Sequence, residues 1–261
     1  MNLDLSGKNA LVCGGSKGIG RAIAIELAAL GANVTVVARS PGPLSETVKE
    51  LPLAKDQDHD FLVADFTDQA DLRKKVAGLT SLKPIHILIN NTGGPPGGPL
   101  LSATPEAFLK AFNNHLICNH LLIRTVVKGM KMEGYGRIIN VISTSVKQPI
   151  SGLGVSNTTR GAVANWSKTL ATELGPDGIT VNNILPGSTA TERLEDIFKA
   201  RAAKNGTTRD EEAEKMRKTV PIGRFAEPKE IGAAAAFLAS PAAAYISGTN
   251  MVVDGGRTKS L

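Results

Sequence analysis

Apolar residues along this chain fall into short runs of two kinds, and the two kinds take turns. Asn9 to Cys13, Asn33 to Ala38, Phe61 to Ala64 and Ile85 to Ile89 are aliphatic or β-branched and lack strict apolar–polar alternation. Such runs fit parallel strands covered on both faces. Between them the apolar positions recur at helical spacing: Ile19, Ile23, Leu27 and Leu30 share one face of a helix over Gly18 to Leu30, and Gly31 closes it. Further helices are predicted over Leu44–Leu51 and Gln69–Leu79, then one long helix over about Pro105 to Met132. A strand (Arg137–Ile142), a helix (about Ser156–Leu174), a strand (Thr180–Leu185), a polar excursion, a helix (Pro228–Leu238) and a strand near Asn250–Val253 complete the series.

This alternation predicts an α/β fold: a single-domain, doubly wound, Rossmann-type parallel sheet flanked by helices. No linker and no internal repeat divides the 261 residues. In such sheets ligands bind beyond the carboxyl ends of the strands, so the loops that follow each strand are where chemistry is expected.

Composition changes this picture little. Hydrophobic residues make up 42% and charged residues 21%, as in ordinary globular proteins. The net charge of +6 raises the question of nucleic acid, but the basic residues are scattered and have no aromatic stripe beside them, so no nucleic-acid partner is expected. Cys13 and Cys118 stand far apart without metal-ligand spacing, which predicts reduced core thiols and no metal site. The first residues lack a basic and apolar leader, and no apolar stretch reaches the ~18 residues a bilayer span needs. A cytoplasmic protein without a membrane partner is the expectation.

The first strand runs into Gly14-Gly15-Ser16-Lys17-Gly18-Ile19-Gly20, which opens a helix. Glycines let the backbone turn tightly and approach a pyrophosphate, whose charge then faces the free N–H groups of the helix start. The spacing GxxxGxG, with Asn90-Asn91-Thr92-Gly93 after the fourth strand and Pro186-Gly187 after the sixth, resembles the short-chain dehydrogenase/reductase family. The resemblance runs from Gly7 to Gly256 and takes in the 3-oxoacyl-carrier-protein reductases. It implies that Gly14, Ser16, Lys17, Gly18, Ile19, Gly20, Asn91, Gly93, Pro186 and Gly187 line a dinucleotide. By the same resemblance Asp65 contacts the adenine, and Thr189 and Thr191 grip the nicotinamide carboxamide. Arg39 ends the second strand where an NAD site usually has an acidic residue. A guanidinium there accommodates a 2′-phosphate, so NADP(H) is expected over NAD(H), with Lys17 as a second basic contact.

The catalytic pattern of that family is broken. Ser143, at the end of the fifth strand, stands where its carbonyl-polarising serine does. The tyrosine and lysine of its YxxxK motif are replaced by Ser156 and Arg160, with the register held by Gly161-Ala162-Val163 downstream. An ungapped count puts His115 in the place of the supporting asparagine, and a shift of one would restore Asn114. A serine hydroxyl is a far weaker acid than a phenol, and arginine stays charged. His115, with an ordinary pKa suited to general acid work, or Lys147 after Ser143, offers another proton path. Tyr135 precedes its strand and so belongs to the far edge of the sheet, and Tyr245 is equally ill placed.

Residues 191–220 carry eight basic and seven acidic side chains, and the family places its substrate lid there. Gly93 to Pro99 is expected to shape a wall of the pocket, and the resemblance implies that the last strand meets a second subunit in a homodimer or homotetramer. Three functions remain open. The leading one is an atypical NADP(H)-dependent oxidoreductase of a small carbonyl or acyl-thioester substrate. The others are a catalytically silent NADP(H)-binding sensor or scaffold, and an enzyme of proton transfer without net redox.

Overall fold

The computed structural model describes residues 1–54 and 56–260. The chain alternates as its pattern predicts: β1 (Asn9–Cys13), α1 (Gly18–Ala29), β2 (Asn33–Ala38), α2 (Pro41–Glu50), β3 (Asp60–Val63), α3 (Gln69–Leu82) and β4 (Ile87–Asn90) form the first half. The second half runs α4 (Pro105–Phe112), α5 (Cys118–Met132), β5 (Gly136–Val141), α6 (Gly154–Leu174), β6 (Ile179–Pro186), α7 (Glu192–Asn205), α8 (Arg209–Arg217), α9 (Pro228–Ala239) and β7 (Asn250–Val253). The strands pair in parallel in the order β3-β2-β1-β4-β5-β6-β7. The order reverses between β1 and β4, and that switch point opens a crevice beyond the strand ends.

Successive strand side chains point to opposite faces, and both faces are covered. Ala10 and Val12 of β1 pack with Ile23 and Leu27 of α1 and Ile231 and Ala235 of α9. Leu11 and Cys13 turn the other way, onto Leu72 and Val76 of α3, Leu122 and Val126 of α5, and Ala171 of α6. Side-chain caps set several helix starts: Asp68 accepts from the Asp71 N–H at 2.9 Å, and Thr208 with Glu211 forms a reciprocal capping box on α8.

Two expectations are corrected. The long helix predicted over Pro105 to Met132 is interrupted by a π-helical turn, Asn113–Ile117, between α4 and α5. The fourth strand begins at Ile87 rather than Ile85, although His86 already meets both neighbouring strands: its N–H donates to the Asn9 carbonyl and its carbonyl accepts from the Arg137 N–H. The polar excursion holds two helices, α7 and α8.

Four buried or half-buried asparagines lie side by side across the carboxyl-terminal half of the sheet, in register on β4, β5, β6 and β7. Asn90 Nδ2 donates to Asn140 Oδ1 (2.8 Å), Asn140 Nδ2 to Asn183 Oδ1 (3.0 Å), and Asn183 Nδ2 to Asn250 Oδ1 (2.8 Å). The amides thus donate in one direction along the row, and the Asn90 Oδ1 at its head is buried without a partner.

Candidate active site

The glycine turn after β1 is built for close approach. Gly14 has φ +61°, and a Cβ there would lie 2.6 Å from the Asn91 carbonyl oxygen. A Cβ on Gly20 would lie 2.1 Å from the Gly14 carbonyl oxygen, so the helix can start this near the turn only without side chains. Asn91 pins the crossing from β4: its Nδ2 donates to the carbonyls of Cys13 (3.3 Å) and Gly14 (3.4 Å). No side chain caps α1, whose N-terminal N–H groups therefore face the crevice as donors for an anion. This cradle fits a dinucleotide pyrophosphate.

Ser16, Lys17, Gly18, Ile19 and Gly20 belong to that turn, and Gly93 follows β4 beside it. Pro186 ends β6, and Gly187 lies so close to Asp254 that a Cβ would meet the Asp254 Cβ at 2.6 Å. Thr189 Oγ1 donates to the Gly187 carbonyl (3.2 Å), and Thr191 Oγ1 to the Thr189 carbonyl (3.3 Å), which folds this segment back over the strand ends. At the other side Arg39 is exposed at the end of β2, near Asp65 at the end of β3. Asp65 accepts from the Thr67 N–H at 2.9 Å, which holds its carboxyl below the usual range. Lys17 and Arg39, expected to share one phosphate, point to different acids here. Lys17 Nζ meets Glu192 of α7 at 2.6 Å, while Arg39 sits in the field of Asp65.

The residues read as replacing the catalytic motif lie on α6 and after β5. Ser156 and Arg160 stand one turn apart on α6 and so share a helix face. Arg160 is buried, and its Nη1 donates to the carbonyl of Val141 at 3.3 Å, two residues before Ser143. Its Nη2 reaches the underside of Gly94, where a Cβ would be 3.8 Å away. Ser143 is half-buried and its Oγ accepts from the Ser145 N–H at 3.1 Å. The loop above is tied down by the Gly98 N–H, which donates to the Gly152 carbonyl at 2.8 Å. Lys147 is half-buried in the turn after Ser143, and its carbonyl accepts from the Ser260 hydroxyl.

His115 occupies the π turn and is 2% exposed, whereas Asn114 is turned toward a surface depression that it lines with Thr67 and Glu106. The ungapped count therefore points at the inward residue. Its Nδ1 shares a 2.6 Å hydrogen bond with Thr92 Oγ1. Burial and then the Arg160 charge push His115 down to about 3, so its ring is neutral at neutral pH. That departs from the expectation of an imidazole titrating in the working range. Arg160, lowered to about 10 by burial, keeps its charge. Thr92 is the residue that motif counting missed; its signal was only its place in Asn90-Asn91-Thr92-Gly93. Tyr135 lies at the far edge, its hydroxyl donating to the Ala239 carbonyl at 2.6 Å, and Tyr245 is fully exposed. Among the described residues no His, Cys, Asp or Glu group is arranged for a metal ion, and no helix is long and apolar enough to cross a membrane.

A parallel sheet with this strand order, a glycine turn at its switch point and an asparagine crossing from β4 narrows the choice to a few nucleotide-binding families. The enoyl-(acyl carrier protein) reductase family profile matches residues 14–258. The chain belongs to the short-chain dehydrogenase/reductase family. Within this family of NAD(P)-dependent oxidoreductases it is 31% identical to the NADPH-dependent reductase BacG of Bacillus subtilis, over 98% of this chain and 100% of that one. The L-sorbose reductase of Gluconobacter frateurii, solved with NADPH and L-sorbose, superposes with a TM-score of 0.93 at 32% identity, covering 100% of both chains. A 3-oxoacyl (acyl-carrier-protein) reductase of Agrobacterium tumefaciens, solved with NADP, gives 0.87 at 26% identity, covering 97% of this chain and 95% of that chain.

Proposed function

We propose that this short-chain dehydrogenase/reductase is an NADP(H)-dependent oxidoreductase that interconverts a small carbonyl compound, a ketone or 3-oxoacyl thioester, and its alcohol, without a phenolic proton donor. The observation that carries the reading is the pairing of an intact dinucleotide cradle with a buried cation, Arg160, that bonds the Val141 carbonyl at the end of β5, the strand that leads into Ser143. NADP(H), when bound, supplies the hydride. Gly14, Gly18, Gly20 and Asn91 shape the cradle, Arg39 and Lys17 offer charge for the 2′-phosphate, Asp65 the adenine side, and Thr189 and Thr191 the carboxamide. Ser143 donates a hydrogen bond to the carbonyl oxygen. Arg160 stabilises the negative charge that grows on it, an electrostatic role open to a group that never gives up its proton. In reduction the carbon gains the hydride and the oxygen gains a proton drawn from solvent by way of the Ser156 hydroxyl.

Three further assignments go with this reading. The segment 191–220 serves as the lid: Glu192 is paired to Lys17, and Arg193 Nη2 donates to the Pro95 carbonyl at 3.4 Å, so α7 already touches both walls of the crevice. The chain works as a homodimer or homotetramer inside the cytoplasm. Tyr245, Ile222 and Val252 at one end, and Leu101 and Leu109 at another, leave large apolar side chains exposed that a second copy would cover. Sedimentation as a single 27.3 kDa chain would refute the assembly.

The loss of the phenol supports a second reading, a protein that binds NADP(H) and does no chemistry. Both are tested by following NADPH oxidation with ketones and 3-oxoacyl thioesters, beside the double variant Ser156→Tyr, Arg160→Lys. Turnover by the natural chain establishes the enzyme. Tight NADPH binding, no turnover, and activity only in the double variant establish the silent binder.

A further inference from the structure

The segment that follows β7, Asp254 to Ser260, is bonded to parts of the crevice that lie far apart in the sequence. Its root is fixed. Asp254 is buried against Gly187, and its carboxylate accepts the N–H groups of Gly256 (3.0 Å) and Thr258 (2.7 Å). Bonds of this kind fold the residues after an aspartate into a turn. Gly255 and Gly256 both have positive φ, +66° and +82°, and a Cβ on Gly255 would lie 2.8 Å from Val220 Cγ1. Only glycine lets the turn sit this close.

From this root the segment reaches in two directions. On one side it holds the stretch that leaves α8. The Gly255 carbonyl accepts from the Ile222 N–H at 3.3 Å, and Arg257 Nε donates to Thr219 Oγ1 at 3.1 Å. The Thr219 hydroxyl in turn donates to the Met216 carbonyl of α8 at 2.7 Å. On the other side it holds the turn after Ser143. The Lys259 N–H donates to Gln148 Oε1 at 3.2 Å, and the Ser260 hydroxyl to the Lys147 carbonyl at 3.3 Å. That turn is tight: the Val146 N–H donates to the Ser143 carbonyl, and the N–H groups of Lys147 and Gln148 both donate to the Thr144 carbonyl.

We infer that Asp254 to Ser260 is a positioning strap, which ties the return leg of the 191–220 segment to the turn that carries Ser143. Gln148 and Arg257 are the positioning residues at its two ends, and they act on Ser143 through that turn. The inference rests on the oxidoreductase reading with its lid, and adds a mechanical link between the two. A displacement of α8 is passed along Thr219, Arg257 and Lys259 to Gln148, five residues after Ser143, without passing through the dinucleotide cradle. The strap's strength is graded. Its root is buried and doubly bonded, whereas each end is a single exposed hydrogen bond of modest strength. Its ends therefore open before its root does, and each end can be cut by one substitution.

The test uses the whole protein and cuts the strap at opposite ends, with Gln148→Ala and Thr219→Val. Each has a conservative counterpart that keeps the accepting oxygen, Gln148→Glu and Thr219→Ser. Amide hydrogen exchange is then followed at both ends. Gln148→Ala should speed exchange at Ile222 by about two- to tenfold, and Thr219→Val should do the same at Lys147 and Gln148, the range set by one hydrogen bond. The conservative variants should keep the natural rates. Effects confined to the altered end overturn the strap. NADPH affinity, titrated by fluorescence, should be equal in all five proteins, while kcat for ketone reduction falls about two- to tenfold in Gln148→Ala and Thr219→Val alone. An unchanged kcat, or a loss of NADPH affinity that parallels the loss of rate, overturns the positioning role. Should Thr219→Val fail to fold, Gln148→Ala, at an exposed position, still decides. If the natural chain binds NADPH and turns over no ketone, the oxidoreductase reading fails by itself, and the exchange rates still decide whether the strap exists.

Discussion

His115 is buried, shares a hydrogen bond with Thr92 and lies in the field of Arg160. Because burial and the guanidinium depress the histidine to about 3, protonating it works against the fold. The unfolded chain takes up that proton near the ordinary value of about 6.5, so between there and pH 3 the unfolded state binds more protons than the native state. Stability from this group is thus complete above about pH 6.5 and declines as pH falls toward the native pKa. Urea unfolding should show a loss of about 2 kcal/mol from His115 between pH 7 and pH 5. His115→Asn should remove that portion of the acid sensitivity and leave the part due to carboxylates. Equal slopes in the two proteins would show that the ring is protonated in the native state. Conversely, an activity profile of the natural chain should show no break near pH 6.5 from this residue. Ser156 and Arg160 were legible from motif counting, because α6 keeps its register with no gap. The burial of His115 and its bond to Thr92 were not, since a contact between residues 23 positions apart depends on how two loops meet.

The π turn explains why the sequence predicts one long helix where the structure has two. Ala111, His115, Cys118, Leu122, Val126 and Met130 are buried at intervals of three or four, and an uninterrupted α-helix would give the same intervals. One wide turn inserted in such a pattern changes the facing of neighbouring residues but not the spacing on which prediction rests. The strands and the other helices were legible within a few residues because aliphatic runs and helical periodicity are local signals. Whether α7 moves was not legible. Its contact with the glycine turn rests on an exposed pair, Lys17 with Glu192, and such pairs are weak and salt-sensitive. The same lysine is wanted by a 2′-phosphate. Glu192→Gln should therefore tighten NADPH binding by about two- to fivefold at low salt, the range expected for one exposed pair, and change NADH binding less. Identical NADPH affinities in the two proteins would mean that the pair does not compete with the cofactor.

On the scale of the whole molecule, the doubly wound architecture was readable before any coordinate was known, and the crevice follows from it. What surrounds the crevice was less so, because the charge of a site is a sum over elements that the chain brings together from far apart. The two thiols report on the integrity of that whole. Cys13 on β1 and Cys118 at the start of α5 are both fully buried in the same core layer, and burial first raises both above the ordinary thiol range, Cys118 to about 11. Neither thiol should react with a water-soluble disulfide reagent at pH 8 while the protein is folded. Both should react at once in denaturant, and their rates in between should follow global opening. Fast reaction of either in the native protein would reveal a local opening of this layer.

The row of asparagines across β4 to β7 bears on how the chain finds its fold. Parallel strands arrive one at a time, each after a long crossover, and nothing local tells an incoming strand which rung to take. An aliphatic strand displaced by two residues keeps its apolar faces and loses little. In this sheet the same displacement strands an amide in hydrocarbon on both sides of the error, at a cost of about 1–3 kcal/mol for each unmet group. The amides thus act as a proofreading comb, and the final tooth, Asn250, is set only when the last strand docks. Loss of the chain's end would leave Asn183 without its acceptor, and the strand ends that carry Ser143 and anchor Arg160 would lose their last check.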